Sequence, residues 1–376
     1  MKKFVAITLF ISFMPLYLAH GMENNKARVQ AIQEGTEKIS QTSLNEKEQQ
    51  SFTIKSGEWH EQGFRNAMED TSIIKVPFFE NKPESGIFAL FDGHDQYSTI
   101  HNRTANYAAA HLIEELKNIT GDSEKTLKEG LRVINKNLID TKEDGIIDNS
   151  GSTAIVALLD GNNLTVANLG DSRAILSRDG QAISLSEDHN LQNPAEKERV
   201  EQFTGKPQKT ARLELHRSLD VSLTKALGDR AFIPLGLSDQ AEIKSIQIQP
   251  DTDFLIIACD GIFEGGMDRQ QAVNIAKASL EKHAGKENAE ALAAQELVET
   301  AWTGYTQEAE RQAALNIIMA KVNNVDPSDR HYIPRLFEHH RLQDEVEDEG
   351  FTEPQTYNIS RDNLSAMIIT FHIKKN

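Results

Sequence analysis

Short apolar runs bounded by turn residues recur along the middle of the chain and predict β-strands. The clearest cover residues 86–91, 153–159, 164–169 and 254–258, where apolar side chains stand almost without interruption. Between the second and third runs lies an Asp-Gly-Asn-Asn turn at residues 160–163, and an Asp-Gly pair supplies the backbone freedom that a tight turn needs. We therefore expect an antiparallel hairpin at this point.

A second pattern, with apolar positions every three or four residues, predicts amphipathic helices. The segments that show it are 105–118, 125–138, 270–280, 289–300 and 307–321. Strands and helices fall in separate blocks and not in strict alternation. This order favours an α+β layered domain with helices packed outside antiparallel sheets.

The N-terminal segment has a different character. Lys2 and Lys3 precede an apolar run that ends at Ala19, and small residues follow at Ala19 and Gly21. The run is shorter than the roughly 20 apolar residues that a membrane-spanning helix needs, so residues 1–21 are interpreted as a signal peptide cleaved near Gly21. A retained segment would instead anchor the protein in a membrane. In both cases we expect the domain to be exported, as a secreted or periplasmic protein.

The remaining chain divides into a lead-in, a domain and an insertion. Residues 22–50 are polar with weak periodicity, which is typical of a flexible lead-in, and the domain is predicted to occupy residues 51–376. Within it, residues 323–358 contain three prolines and an acidic run. We interpret this stretch as an insertion that is either functional or a surface excursion without fixed structure.

Composition narrows the class of protein. The 376 residues are 39% hydrophobic and 26% charged, as in globular proteins, and the net charge of −17 with no basic patch argues against general nucleic-acid binding. The acidity either suits divalent cations or simply keeps the surface soluble. Cys259 is the only cysteine, so no intramolecular disulfide is possible, and its apolar neighbours predict a small buried residue.

Four acidic clusters stand where strands end or turns begin. An Asp-Gly pair after a strand is by itself most often a turn. Together, carboxylates with no neighbouring cysteine and few histidines are hard oxygen ligands that suit Mg²⁺ or Mn²⁺ better than Zn²⁺. The clusters are Glu69-Asp70, Asp92-Gly93-His94, Asp260-Gly261 and Asp362-Asn363.

The order and spacing of these motifs resemble those of the metal-dependent PPM-type, or type 2C, serine/threonine protein phosphatases. The resemblance extends from about Gly57 to Ile373. Its motifs are Arg65 to Asp70 (RNAMED), Phe91 to His94 (FDGH), Gly151 to Ala154 (GSTA), Asn168 to Ala174 (NLGDSRA), Asp188 to Asn190 (DHN), Asn193 to Arg199 (NPAEKER), Ser218 to Asp229 (ending ALGD), Cys259 to Glu264 (CDGIFE) and Arg361 to Asn363 (RDN).

The resemblance implies a central β-sandwich of two antiparallel sheets flanked by helices, in four α-β-β-α layers, with two Mg²⁺ or Mn²⁺ ions in a cleft at one end. A metal-bridging water would attack phosphorus directly, Arg65 would bind the phosphate and His94 would protonate the leaving oxygen. The implied ligands of the two ions, direct or through water, are Glu69, Asp70, Asp92, the Gly93 carbonyl, Asp260 and Asp362.

Several assignments leave an alternative open. Asp171 either binds a weaker third metal or caps a turn, and Glu264, where the family usually has Asp, either joins it or stays outside the site. Outside the motif set, Arg65 would be interpreted as a structural ion pair and His94 as a core histidine.

Two features depart from the family. Asp95-Gln96 replaces the glycines that usually follow the histidine, and the insertion interrupts the approach to Asp362. The predicted function is a monomeric phosphatase of phosphoproteins. The rival functions are a non-catalytic binding module with the same fold and a phosphatase of small phosphate esters.

Overall fold

The structure is a computed structural model, and it describes residues 51–63, 65, 67–94, 102–119, 121–140, 150–216, 219–304 and 362–374. Five predicted features lie outside these residues and stay predictions. They are the signal peptide at 1–21, the lead-in at 22–50, the Asp95-Gln96 pair, the helix at 307–321 and the insertion at 323–358.

The described residues form fourteen strands. In chain order they are β1 (Phe52–Glu61), β2 (Asp70–Lys75), β3 (Ser85–His94), β4 (Gly151–Ser152), β5 (Ala154–Asp160), β6 (Asn163–Leu169), β7 (Arg173–Arg178), β8 (Gln181–Ser184), β9 (Leu213–His216), β10 (Leu219–Val221), β11 (Leu227–Gly228), β12 (Glu242–Gln247), β13 (Asp253–Ala258) and β14 (Leu364–Ile373).

These strands build two antiparallel sheets and a separate β9–β10 hairpin. The first sheet has the order β1-β14-β13-β7-β8, and the second has the order β11-β4-β3-β5-β6-β12 with β2 paired to β3. The second sheet contains the predicted hairpin: β5 and β6 pair up to Asp160 and Asn163, and Gly161 turns the chain with φ 59°.

Six α-helices lie among the described residues, and the four longest pack against the two sheets. They are α1 (Arg103–Asn118), α2 (Ser123–Asp140), α3 (Pro194–Thr204), the short α4 (Gly261–Glu264), α5 (Arg269–Lys282) and α6, which runs from 289 to 304 at the edge of the described segment. Helix α5 begins at a capping box, in which the Asp268 carboxylate accepts from Gln271 N at 2.8 Å and Gln271 Oε1 accepts from Asp268 N at 2.7 Å.

Strand β3 shows how the layers are held together. Phe88 and Leu90 belong to the core that also contains apolar residues of the first sheet, of α5 and of α6, whereas Ile87 and Ala89 pack in the core beneath α1 and α2. Successive side chains of a strand point to opposite faces, so one strand contributes to both cores. The result is the predicted α-β-β-α arrangement around a two-sheet sandwich.

The four helical segments predicted within the described residues and the four predicted strands are all present. One boundary is wrong: β3 does not stop before Asp92 but continues through it to His94, because Gly93 and His94 pair with Ser152 and Gly151 of β4. The other ten strands, among them the edge strand β1, and the helices α3 and α4 were not predicted. Strand β1 mixes exposed polar and buried apolar positions, so it has no continuous apolar run.

Candidate metal centre

Strand pairing brings two of the predicted carboxylates face to face. Asp70, the first residue of β2, lies directly opposite Asp92 in the antiparallel β2–β3 pair. Side chains of directly opposed residues share one face, with Cβ atoms about 4.5–5.5 Å apart. Like charges in that position are destabilising unless something compensates them.

The first sheet contributes the other carboxylates. Asp260 follows β13 and Asp362 precedes the neighbouring strand β14, and carboxylate oxygens of Asp260, Asp362 and Glu264 lie within 4.8 Å of one another. Gly261 allows this approach, because a Cβ at this position would collide with the backbone carbonyl of Asn363. We call Glu69, Asp70, Asp92, Asp260 and Asp362 together the acidic cluster.

The side chain of Asn363 fixes Glu69 at the cluster. Its Oδ1 accepts from Glu69 N at 2.8 Å, and its Nδ2 donates to the carbonyls of Gln62 at 2.8 Å and Ala67 at 3.1 Å. Gly93 N in turn donates to the Glu69 carbonyl at 3.2 Å, and a Cβ on Gly93 would stand only 2.6 Å from that oxygen. A glycine is therefore required where Gly93 passes the cluster.

The electrostatics of the acidic cluster show the cost of gathering these charges. Burial raises the pKa of Asp70 to about 6, and burial followed by the charge of Asp70 raises the pKa of Asp92 well above its ordinary value. Burial, Asp171 and Asp362 do the same for Asp260. Within the described residues, Oδ1 of Asp70 and Oδ1 of Asp260 are buried without a hydrogen-bond partner. Buried oxygens that repel one another and lack donors fit divalent cations such as Mg²⁺ or Mn²⁺.

Arg65 lies at the rim of the acidic cluster with 38% of its side chain exposed. Its Nη2 is 2.9 Å from Asp362 Oδ2, and its Nη1 is 3.3 Å from Glu69 Oε2. Burial lowers its pKa, but the charges of Asp362, Asp92 and Glu69 outweigh this effect and raise the pKa above its ordinary value. The structure thus contains the ion pair that was the alternative assignment. A role in phosphate binding stays a prediction.

His94 pairs with a residue to which sequence analysis gave no role. Its Nε2 lies 2.7 Å from Oδ2 of Asp229, whose side chain is 2% exposed. Burial lowers the pKa of His94, but the Asp229 charge outweighs this and raises it. Gly151 leaves room for the pair, because a Cβ there would collide with both side chains. Asp229 ends the Ala-Leu-Gly-Asp motif, and only the fold shows that this motif reaches His94.

The two remaining candidates lie beside the acidic cluster. Asp171 follows the β6 turn residue Gly170, which has φ 107°, and burial, followed by the charge of Asp188, raises the pKa of Asp171 to about 7. Glu264 is exposed on α4 and belongs to the same group of oxygens as Asp260 and Asp362. The charge of Asp171 helps to raise the pKa of Asp260, which places Asp171 near the cluster, but Asp171 is outside the group of oxygens formed by Asp260, Glu264 and Asp362. Its binding to a third ion stays a prediction, and so does the turn role.

A family model described as protein phosphatase 2C matches residues 54–308. That match covers well over half of the chain. The chain belongs to the protein phosphatase 2C family. This confirms the predicted metal-dependent serine/threonine phosphatase class.

Relatives agree with this family assignment. The chain is 35% identical over 265 residues to a probable protein phosphatase 2C 6 of Paramecium tetraurelia, an alignment that spans 65% of this chain and 84% of that protein. In Arabidopsis thaliana, probable protein phosphatase 2C 17 is 35% identical over 223 residues, which span 56% and 73% of the two chains.

Solved structures of low identity share the fold. A serine-threonine phosphatase 2C from Toxoplasma gondii aligns with a TM-score of 0.57 at 17% identity, over 85% of this chain and 95% of that one. The catalytic domain of the phosphatase PstP in complex with two manganese ions aligns with a TM-score of 0.51 at 14% identity, over 86% and 100%. Among the described residues of this family member, no helix is long and apolar enough to cross a membrane.

Proposed function

We propose that this protein hydrolyses phosphoserine and phosphothreonine in protein substrates at the acidic cluster, with two divalent cations bound there. The observation that carries the proposal is the convergence of buried carboxylates from both sheets, where oxygens of Asp70 and Asp260 have no donor among the described residues. Such a group is costly in the absence of a cation and favourable in its presence.

The residues that would hold the ions are Glu69, Asp70, Asp92, the Gly93 carbonyl, Asp260 and Asp362. When bound, two such cations supply a water of lowered pKa and neutralise negative charge as phosphorus is attacked. Asn363 and Gly261 keep the ligands in place through the backbone contacts described above. A third ion, bound by Asp171 with Asp260 and Glu264, is part of the same proposal.

Arg65 is proposed to bind the phosphate of the substrate. Its planar guanidinium presents paired donors that match two phosphate oxygens, which a lysine does not do with equal geometry. Its exposure of 38% at the rim lets a phosphate ester reach those donors. The present partners, Glu69 and Asp362, hold the side chain over the cluster until substrate arrives.

His94 is proposed to protonate the leaving oxygen of the serine or threonine. Its Nε2 faces Asp229, so Nδ1 is the ring nitrogen that remains for the leaving group. A carboxylate at 2.7 Å orients the ring and favours its protonated form, which is the form a general acid needs. Asp229 is thus a positioning residue that acts through His94.

One experiment tests this function. Purified residues 22–376 are assayed with p-nitrophenyl phosphate and with a phosphothreonine peptide in Mn²⁺, in Mg²⁺ and in chelator. We expect hydrolysis of both substrates with either metal and none in chelator. Hydrolysis of p-nitrophenyl phosphate alone would indicate a phosphatase of small esters. Metal binding without hydrolysis of either substrate would indicate a binding module.

Export and a monomeric state are also proposed. The support for export is the charged start, the short apolar run and the small residues at Ala19 and Gly21. Mass spectrometry of the exported protein should give a chain that begins near residue 22, and an intact Met1 would overturn the proposed cleavage. Light scattering of the purified protein should give one chain of about the mass expected for residues 22–376, and a dimer mass would overturn the monomer.

A further inference from the structure

Hydrogen bonds connect the edge strand β1 to the buried carboxylate of Asp70. Ser365 Oγ donates to Asp70 Oδ2 at 2.5 Å, and His60 Nδ1 lies 2.8 Å from the same hydroxyl. Ser365 is fully buried and lies directly opposite His60 in the β1–β14 pair, so the two side chains share one face. The metal end of the sandwich is therefore linked to a partly exposed histidine through one serine.

The direction of these bonds follows from the number of protons available. A serine hydroxyl has one proton, and an ionised carboxylate can only accept, so the proton of Ser365 goes to Asp70 and its oxygen accepts from His60 Nδ1. The other side of the imidazole is also held, because His60 Nε2 lies 3.2 Å from Ser72 Oγ, which donates to Glu58 Oε2 at 2.7 Å. Both ring nitrogens of His60 therefore have fixed neighbours.

The two oxygens of Asp70 consequently differ. Oδ2 is occupied by the Ser365 hydroxyl, whereas Oδ1 is buried and has no hydrogen-bond partner within the described part of the chain. We propose that Ser365, held by His60, is a positioning residue that turns Asp70 so that it binds a divalent cation through Oδ1 alone. This inference rests on the proposed metal centre.

Ser365 can be tested without disturbing the strand that carries it. Its backbone N donates to Cys259 Sγ at 3.1 Å and its carbonyl accepts from Cys259 N at 3.2 Å, and neither bond uses the hydroxyl. Ser365→Ala therefore removes only the bonds to Asp70 and His60. Loss of a residue that orients a metal ligand typically weakens metal affinity about 10–100-fold.

The experiment measures Mn²⁺ binding to purified residues 22–376 by isothermal titration calorimetry, with thermal unfolding in chelator as a check on folding. Ser365→Ala should bind Mn²⁺ about 10–100-fold more weakly, and Ser365→Thr, which keeps the hydroxyl, should bind much as the wild type does. Ser177→Ala is the matched control. It removes another fully buried serine of the first sheet, which lies opposite Phe254, at the end of β13 away from Asp260. The Ser177 hydroxyl has no hydrogen-bond partner among the described residues.

Each result separates this inference from the proposed function. Wild-type affinity in Ser365→Ala would overturn the positioning role, provided that Asp70→Asn binds Mn²⁺ more weakly. If Asp70→Asn also kept wild-type affinity, Asp70 would not be a ligand and the metal centre itself would be wrong. Should Ser365→Ala fail to fold, His60→Ala decides the question, since it leaves Ser365 in place. It should weaken Mn²⁺ binding measurably, and unchanged affinity would overturn the proposal.

Discussion

Buried carboxylates occur in two regions of this protein, with cations and donors around the carboxylate in one region and with other carboxylates in the other. In the Glu196 cluster (Glu196, Arg199, Thr224 and Lys225), the carboxylate of Glu196 accepts from Arg199 Nη2 at 2.8 Å and Thr224 Oγ1 at 2.7 Å, with Lys225 Nζ at 3.2 Å. Burial raises the pKa of Glu196, but these donors and charges outweigh it and bring the pKa to about 2. In the acidic cluster, the pKa of Asp70 is raised to about 6.

Burial acts in the same direction in both places, so the neighbours decide the outcome. Glu196 has all the partners that a buried carboxylate needs, and its role is to hold α3 to the segment that contains Thr224 and Lys225. The acidic cluster contains several like charges, and among the described residues the cation that forms ion pairs with it is Arg65 at its rim. Buried carboxylates that repel one another lower the stability of the fold, and proteins keep such clusters at functional sites. Here a bound cation would supply the positive charge that balances them.

The largest expected effect is the loss of activity in Asp362→Asn. Metal ions contribute several kcal/mol to catalysis, so removing a ligand of the shared centre should lower kcat/KM about 10³-fold or more on both p-nitrophenyl phosphate and a phosphothreonine peptide. Asp160→Asn is the control, because Asp160 also ends a strand but lies at the opposite end of the sheet, paired with Lys82. Near wild-type turnover of Asp362→Asn at saturating Mn²⁺ would show that Asp362 is not a core ligand.

His94 and Asp229 form an intermediate case, in which a buried carboxylate has one side-chain partner among the described residues. General acid catalysis typically contributes about 10²–10⁴-fold, so His94→Ala should lose much of that range on a phosphoserine peptide. The loss on p-nitrophenyl phosphate should be clearly smaller, because p-nitrophenolate leaves without a proton. Asp229→Asn should show the same preference more weakly. Equal losses on the two substrates at saturating Mn²⁺, with unchanged Mn²⁺ affinity, would contradict the general-acid role.

In the Glu196 cluster, Glu196→Gln should reduce the free energy of unfolding by about 2–3 kcal/mol, since it removes charge-assisted hydrogen bonds from a buried group. Urea denaturation in chelator measures this, with Glu198→Gln on the exposed side of α3 as the control. The pKa of Glu196 falls from 4.5 to about 2 on folding. The difference in free energy of unfolding between the wild type and Glu196→Gln should therefore have its full value above pH 4.5 and vanish towards pH 2. If Glu196→Gln were as stable as the wild type at pH 7, the partners of Glu196 would not stabilise the fold, and the two clusters would not differ in this way.

A smaller effect is expected in the pH dependence of metal binding. The pKa values of about 6 for Asp70 and about 7 for Asp171 mean that protons compete for these oxygens in the metal-free protein. A ligand must be ionised to bind, so Mn²⁺ affinity should fall from pH 8 to pH 6, by about twofold for proton competition at Asp70 and about tenfold for competition at Asp171. Calorimetry at the two pH values measures it. Equal affinity at both would show that the raised pKa values do not apply to the metal-free protein.

The sequence predicted the fold class, four of the fourteen described strands and four of the six described α-helices, because continuous apolar runs and helical spacing reflect local burial directly. It also located the acidic motifs. It could not show that Asp70 faces Asp92, which depends on the register of β2 on β3, and it took β3 to end too early because β4 extends the pairing. The residues of the site are polar and interrupt the apolar runs, so the strand boundaries at the site could not be predicted from apolar pattern.

Contacts between distant motifs were hidden for a related reason. Asp229 reaches His94 from 135 residues away, and Ser365 reaches Asp70 from 295 residues away. Each is an ordinary polar residue in its local sequence, and only the packing of two sheets brings it to the centre. Once Asp229 is known to be buried, a partner for its charge can be expected somewhere in the fold, because a buried carboxylate needs a donor or a cation.

The central claim is that the acidic cluster is incomplete without divalent cations, and thermal unfolding of the wild type and Asp260→Asn tests it most directly. In chelator, Asp260→Asn should melt at a higher temperature, since it removes a buried charge that Asp171, Asp362 and Glu264 oppose. With Mn²⁺ at about 100 times its Kd, the wild type should gain about 2.7 kcal/mol and melt above the variant. A variant that melts below the wild type in chelator, with no shift of the wild type by Mn²⁺, would contradict the account.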